Sequence, residues 1–352
     1  MPSQALITGG AGFIGSNLAD ALASDGWVVW IFDLLARPGV ERNLTWLQER
    51  HGGRIRFIRG DIRDFPAVAD AVRQAEVIFH LAAQVAVTTS LIDPRTDFEM
   101  NALGTLNILE AARQARHRPI ILYTSTNKVY GAMEEVPVVE EATRYRYADR
   151  PFGIDERQPL DFHSPYGCSK GAADQYVRDY ARIYGLPTVV FRMSCIYGPR
   201  QFGTEDQGWV AHFVISAMTG RPITIYGDGK QVRDLLFVTD LIAAMRAAVE
   251  RIHRTAGQIY NIGGGPENTL SVWREFAPLL EEILGRPLDP PSFGPWRPGD
   301  QKVYISDIRK AMRDLDWRPQ VGVREGLARL VEWVQEGILL PERSRLDTPR
   351  IS

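Results

Sequence analysis

Tyr166 and Lys170 stand four residues apart in Ser164-Pro165-Tyr166-Gly167-Cys168-Ser169-Lys170. On a helix that spacing carries a phenol and an ammonium on one face. A phenol with its ordinary pKa of about 10 is a poor base at neutral pH. A lysine cation one turn away, joined by a second positive charge, favours the phenolate. A phenolate so placed takes a proton from an alcohol while a hydride leaves the same carbon. As a bare pattern the pair usually marks a solvated helix face, so its meaning rests on what surrounds it. Thr124-Ser125-Thr126-Asn127-Lys128 supplies hydroxyls, and Thr126 first, then Ser125, is expected to bridge a substrate oxygen and Tyr166.

A hydride needs an acceptor. Thr8-Gly9-Gly10-Ala11-Gly12-Phe13-Ile14-Gly15 sets glycines at 9, 12 and 15 between a short apolar run and a helical pattern. In that context Gly9 permits a tight turn, Gly12 lets main chain approach a pyrophosphate, and Gly15 lets helix pack on strand. The helix start, with Phe13 and Ile14, offers free N–H groups to phosphate. Asp33 follows Gly9 by 24 residues, near the spacing of a carboxylate that accepts ribose hydroxyls. It repels a 2′-phosphate, so NAD is the expected cofactor, while nearby Arg37 leaves NADP open. Asp61 and Ile62 are expected around the adenine, and Leu81, Ala82 and Ala83 along the middle of the dinucleotide.

The elements that position these groups show in the apolar pattern. Short runs at 5–8, 27–32, 56–58, 76–81, 120–124 and 188–191 alternate with helical periodicity, which predicts βαβ units and a parallel sheet. Ser164-Pro165 reads as a helix start and Gly185 as its end. Tyr176, Tyr180 and Tyr184 then share a face with Ala173. Beyond 193 the alternation breaks up among Pro and Gly clusters. The expected fold is α/β, a Rossmann doubly wound parallel sheet with a smaller mixed α/β substrate-binding lobe. Residues 1–193 form the NAD-binding domain, with 232–262 returning to it through a helix at 238–250 and a strand at 258–262. Residues 194–231 and 263–352 are expected to form the smaller lobe.

The 352 residues are 45% hydrophobic and 24% charged, as in a globular protein. The 41 Lys+Arg against 43 Asp+Glu leave a net charge of −2, which gives no footprint for nucleic acid or anionic membrane. Cys168 and Cys195 are too few for a disulfide framework or a structural zinc site, so no metal is expected. With no run approaching about 20 apolar residues, a cytoplasmic setting is expected.

These motifs resemble extended short-chain dehydrogenase/reductases of the branch that acts on nucleotide sugars. The resemblance runs through Gly9/Gly12/Gly15, Asp33, His80-Leu81-Ala82-Ala83, Asn101, Ser125/Thr126, Tyr166/Lys170, Arg192 and Tyr197-Gly198-Pro199. Within that branch the chain is most similar to the CDP-paratose (CDP-tyvelose) 2-epimerases. Asn43-Leu44-Thr45-Trp46-Leu47, Ser125-Thr126-Asn127-Lys128-Val129-Tyr130-Gly131, 161–176, Asp206-Gln207-Gly208-Trp209 and 229–234 carry that likeness. Met193 and Pro199 depart from the pattern, where His and Gly are expected, so the sugar stays open.

The resemblance implies that Asn101 and Arg192 help hold NAD. It also implies sugar contacts from Gln84, Asn127, Met193 and Ser194. Arg233 and Arg297 are implied for the diphosphate, which guanidinium binds bidentately, and Gln207, Trp209 and Tyr226 around the base. Trp296 and Phe293 read as packing. Sister dehydratases carry Asp-Glu after the Thr, where this chain has Asn127 and Lys128, so dehydration lacks its acid and base. Epimerisation needs only reversible hydride transfer. The implied activity is inversion at carbon 2 of a nucleotide-diphospho-sugar through a keto sugar, with a 4-epimerase as the alternative enzyme and a non-catalytic dinucleotide sensor as the alternative class. A homo-oligomer, dimer or tetramer, is the family expectation.

Overall fold

A computed structural model of the chain describes residues 4–297 and 299–339. Its centre is a seven-stranded, all-parallel sheet. The strands are β1 (Gln4–Thr8), β2 (Val28–Asp33), β3 (Ile55–Arg59), β4 (Val77–His80), β5 (Ile120–Thr126), β6 (Thr188–Met193) and β9 (Gln258–Ile262). Their order across the sheet is β9-β6-β5-β4-β1-β2-β3. Helices cover both faces, so the middle strands are apolar nearly throughout. All four residues of β4 are buried, as are all of β5 after Ile120. One apolar core fills each side: Leu18, Leu22, Leu241 and Met245 on one, Val72, Leu109, Val177 and Tyr180 on the other.

The order reverses beside β1, where β2 and β3 lie to one side and β4 to the other. A crevice therefore opens at the carboxyl ends of β1 and β4. Helix α1 (Phe13–Ser24) starts there, directly after the glycine turn.

Helix α2 (Ser164–Tyr184) packs against β5 and β6. Its first residue, Ser164, takes φ +69°, and its hydroxyl accepts the Gly167 N–H at 3.3 Å, so it caps the helix from inside the first turn. Gly185 ends the helix in the left-handed conformation, φ +65°. The tyrosine row is only partly core: Tyr180 is buried, while Tyr176 and Tyr184 stay exposed.

The second lobe has its own small sheet. It pairs β7 (Cys195–Tyr197), β8 (Val232–Phe237), β10 (Thr269–Ser271) and β11 (Val303–Tyr304). This corrects one expected boundary. The segment 232–237 pairs within the second lobe, not with the large sheet, and the return begins only at helix α3 (Val238–Glu250). All six residues of β8 are buried, so its sequence looks like a strand of either sheet. Strand β9 then extends the large sheet beside β6. The expected lobe limit of 352 includes Pro298 and 340–352, which lie outside the described residues. No helix among the described residues is long and apolar enough to cross a membrane.

Candidate active site

The crevice is a cleft of about 370 Å³. Gly9, Gly12 and Gly15 line its floor with Phe13 and Ile14. Gly9 sits at φ +69°, and a Cβ there would lie 2.9 Å from the Ala82 nitrogen. A Cβ on Gly15 would lie 2.4 Å from the Gly9 oxygen. Glycine is therefore required for the turn to close onto the strand and helix.

Asp33, half-buried at the end of β2, accepts the Ala11 N–H at 3.0 Å and the Leu35 N–H at 2.8 Å. Burial raises its pKa, opposed by those N–H groups and by Arg37. Asp61 and Ile62 form the next wall, and a hydrogen bond from Arg63 holds the Asp61 carboxyl below its ordinary value. Leu81, Ala82 and Ala83 lie opposite. The N–H groups of Leu81 and Ala82 both donate to the Thr8 hydroxyl at 3.2 Å.

Behind that hydroxyl lies a buried relay. Thr105 donates to the Asn101 main-chain oxygen at 2.6 Å, so its hydroxyl oxygen accepts from His80 Nε2 at 2.9 Å. His80 Nδ1 then accepts from Thr8 at 2.7 Å. Burial pushes the imidazole pKa down to about 3, keeping it neutral.

Thr126, Ser125, Tyr166 and Lys170 meet at the inner end of the cleft. The Ser125 hydroxyl is buried and has no partner within the protein. Lys170 donates to the Thr124 oxygen at 2.6 Å and lies 4.4 Å above the Tyr123 ring. The lysine is expected to act together with a second positive charge, and in the protein alone burial dominates both groups. Burial pushes Tyr166 up to about 12, opposed by a hydrogen bond with Thr126. Burial likewise pulls Lys170 down to about 7 against the pull of Asp174 and Asp97. Desolvation penalises the charged form of each group and outweighs their neighbours.

Several expected ligands stand elsewhere. Arg192 is sealed under α2, chelated by Asp174 at 2.9 and 2.8 Å and bonded to the Tyr130 hydroxyl. Neighbouring strand residues face opposite ways, so Met193 lines the cleft and Arg192 does not. The Asn101 side chain accepts the Gln84 main-chain N–H at 2.9 Å and donates to the Gln84 carbonyl oxygen at 3.0 Å, and both side-chain amides donate to the Asp97 carboxylate. Asp97 also accepts from Ser169 at 2.5 Å, fixing the turn between Tyr166 and Lys170. Trp209 packs into the second lobe's core against Phe213 and Phe276, its indole donating to Cys195 Sγ.

Ser194 lines the cleft and donates to the buried Asp234 carboxylate. Gln207, expected around the base, accepts from Arg37 and lines the same cleft as the glycine turn and Asp33. Asn127 turns to Gln301 at 3.4 Å.

A second cavity of about 480 Å³ lies beyond, lined in part by Arg297, His163, Trp296, Asp300 and Lys302. The Arg297 guanidinium stacks 4.0 Å over Tyr226, whose hydroxyl donates to Glu205 at 2.7 Å. Trp296 and Phe293 stay exposed outside the core, with the Trp296 ring lying over Gly227. Arg233 is buried against Asp300.

The Asp97 cluster and the His80 relay were not legible as site features. Their only local trace is the four-residue spacing of Asp97 and Asn101 on one helical stretch; the partners Ser169 and Thr8 come from other elements.

Residues 6–330 match the family model described as GDP-mannose 4,6 dehydratase. The chain belongs to that family. Within the GDP-mannose 4,6 dehydratase family it is 47% identical to a CDP-paratose 2-epimerase of Salmonella typhi, over 93% of this chain and 98% of the relative. It is 35% identical to a UDP-glucose 4-epimerase of Mycolicibacterium smegmatis, over 94% and 98%. The UDP-glucuronic acid 4-epimerase of Bacillus cereus, solved with UDP-glucuronic acid and NAD, superimposes with a TM-score of 0.78 at 29% identity, covering 94% and 99%.

Proposed function

We propose that this protein is an NAD-dependent epimerase that inverts carbon 2 of a nucleotide-diphospho-sugar of the CDP-paratose/CDP-tyvelose type. The observation that carries the reading is the 47% identity to a CDP-paratose 2-epimerase over nearly the full length of both chains. The 4-epimerase alternative draws on a relative at 35%.

The glycine turn, the free N–H groups opening α1, the Asp33 carboxylate and the unpartnered Ser125 hydroxyl fit a dinucleotide. NAD, when bound, supplies a hydride acceptor that returns the hydride and brings a positive ring to the phenol. Tyr166, joined to Thr126, moves the proton of the sugar's 2-hydroxyl and later gives it back. Thr126 and Ser125 orient the sugar oxygen. Lys170 holds the main chain at Thr124, and Asp97 through Ser169 fixes the turn that carries both Tyr166 and Lys170. Asn127 and Lys128 offer no carboxylate for removing water, which supports epimerisation over dehydration. This reading assigns the nucleotide diphosphate to the guanidinium groups of Arg297, beside Tyr226, and Arg233, beside Asp300.

Incubation with CDP-paratose and CDP-tyvelose, with UDP-glucose and GDP-mannose as comparators, tests the reading. Proton NMR should show inversion at carbon 2 without deuterium uptake from solvent. Inversion at carbon 4, or solvent deuterium at carbon 2, overturns it. A cytoplasmic homo-oligomer, dimer or tetramer, goes with this reading; sedimentation velocity of the holoenzyme tests the assembly.

A further inference from the structure

Lys128 and Arg233 share one oxygen of Asp300. Arg233 Nη2 lies 2.7 Å from Asp300 Oδ1, and Lys128 Nζ lies 3.5 Å from the same atom. Arg233 is 9% exposed, Asp300 22% and Lys128 26%, so the cluster is largely dry while the ammonium keeps a free side. The next carboxylate, Asp234, takes its hydrogen bonds from the Ser194 hydroxyl and the N–H groups of Gly265 and Ser306, while Lys128 and Arg233 both make their ion pair with Asp300. The cluster thus holds two cations against one anion. Burial and Arg233 both depress the Lys128 pKa, while Asp300 supports its charged form. An unmatched buried charge is costly, and an anion from outside relieves it.

Position says which anion. Asp300 borders the second cavity with Arg297, Lys302 and His163. The recess around Lys128 adjoins that cavity through His163 and Gly299. The main-chain N–H of Lys128 donates to the Thr126 hydroxyl at 3.2 Å, and Thr126 bonds Tyr166. The ammonium therefore sits within one lysine side chain of the proton-transfer centre.

We infer that Lys128 is a further substrate-binding residue, that it takes the phosphate on the sugar's anomeric carbon, and that this contact selects carbon 2 as the reacting position. In a nucleotide sugar the diphosphate hangs on carbon 1, beside carbon 2 and across the ring from carbon 4. A cation this close to Thr126 meets the phosphate only when the phosphate-bearing end of the sugar faces Tyr166. Carbon 4 chemistry would turn that end away and leave the Lys128 cluster unmatched. The inference rests on the nucleotide-sugar reading above.

Lys128→Met and Lys128→Arg holoenzymes test it. In Lys128→Met the KM for the CDP-sugar should rise, and CDP inhibition should weaken, by about tenfold or more, as expected for a lost charge-assisted contact. Cytidine binding and NAD content should stay unchanged, and Lys128→Arg should recover most of the loss. KM and CDP inhibition within about twofold of wild type, or equal weakening for cytidine and CDP, overturn the inference. Should Lys128→Met fail to fold, acetylation of wild type with acetic anhydride provides the second measurement. CDP should shield Lys128, as quantified by mass spectrometry; no shielding overturns the inference. Wild type that turns over no CDP-sugar, yet shows CDP shielding of Lys128, sinks the epimerase reading and keeps the phosphate contact. Wild type that epimerises while Lys128→Met is unaffected sinks the Lys128 inference alone.

Discussion

The Lys170 ammonium donates to the Thr124 carbonyl oxygen at 2.6 Å, tying the start of α2 to the end of β5. In the protein alone this lysine works as a tether, and burial dominates the phenol one turn away, holding it at about 12. Activation of Tyr166 is therefore expected to depend on the cationic cofactor.

Ultraviolet difference titration of wild type against Tyr166→Phe checks this. Without NAD the phenol should titrate near 12; with NAD its midpoint should fall by at least about one unit, given a cation within contact range. The same variant should lose about 10²–10⁴-fold in kcat while retaining NAD. An unchanged midpoint on NAD binding would remove the electrostatic account of the base.

His80 gives a stability prediction with a definite sign. Its folded pKa of about 3 lies below the ordinary 6.5, so the unfolded chain binds the proton first. Its contribution is present above pH 6.5 and is lost as pH falls toward 3. Between pH 6 and pH 4 wild type should lose about 2–3 kcal/mol more than His80→Gln. Urea unfolding at both pH values measures the difference; parallel losses would show that His80 is not held neutral.

Asp33 is expected to set the preference for NAD. Asp33→Ser removes the carboxylate that repels a 2′-phosphate and leaves Arg37 beside the site. The ratio of NADP to NAD affinity should rise by about tenfold or more, read by calorimetric titration of cofactor-stripped protein. No change in the ratio would place the ribose elsewhere.

Gly15→Ala brings a methyl to 2.4 Å from the Gly9 oxygen, with main chain on both sides of the clash. The turn must shift, so co-purified NAD should fall by about tenfold or more and the Tm should drop. Full NAD retention would show that the turn has slack.

The glycine turn, the acid at the end of the second strand, the Tyr-Lys helix and the parallel character of the large sheet were legible because each is encoded within one or two adjacent elements. A glycine where a Cβ would strike a main-chain oxygen, or a phenol four residues from an amine, is a local fact. Tertiary structure alone decided the rest. The destinations of Arg192, Gln207 and Val232–Phe237 depended on partners far along the chain: Asp174, Arg37, and strands at 195–197, 269–271 and 303–304. Protonation was likewise a property of the fold, since spacing fixes which charges are neighbours while burial, set by the whole packing, decides whether Tyr166, Lys170 and His80 can carry charge.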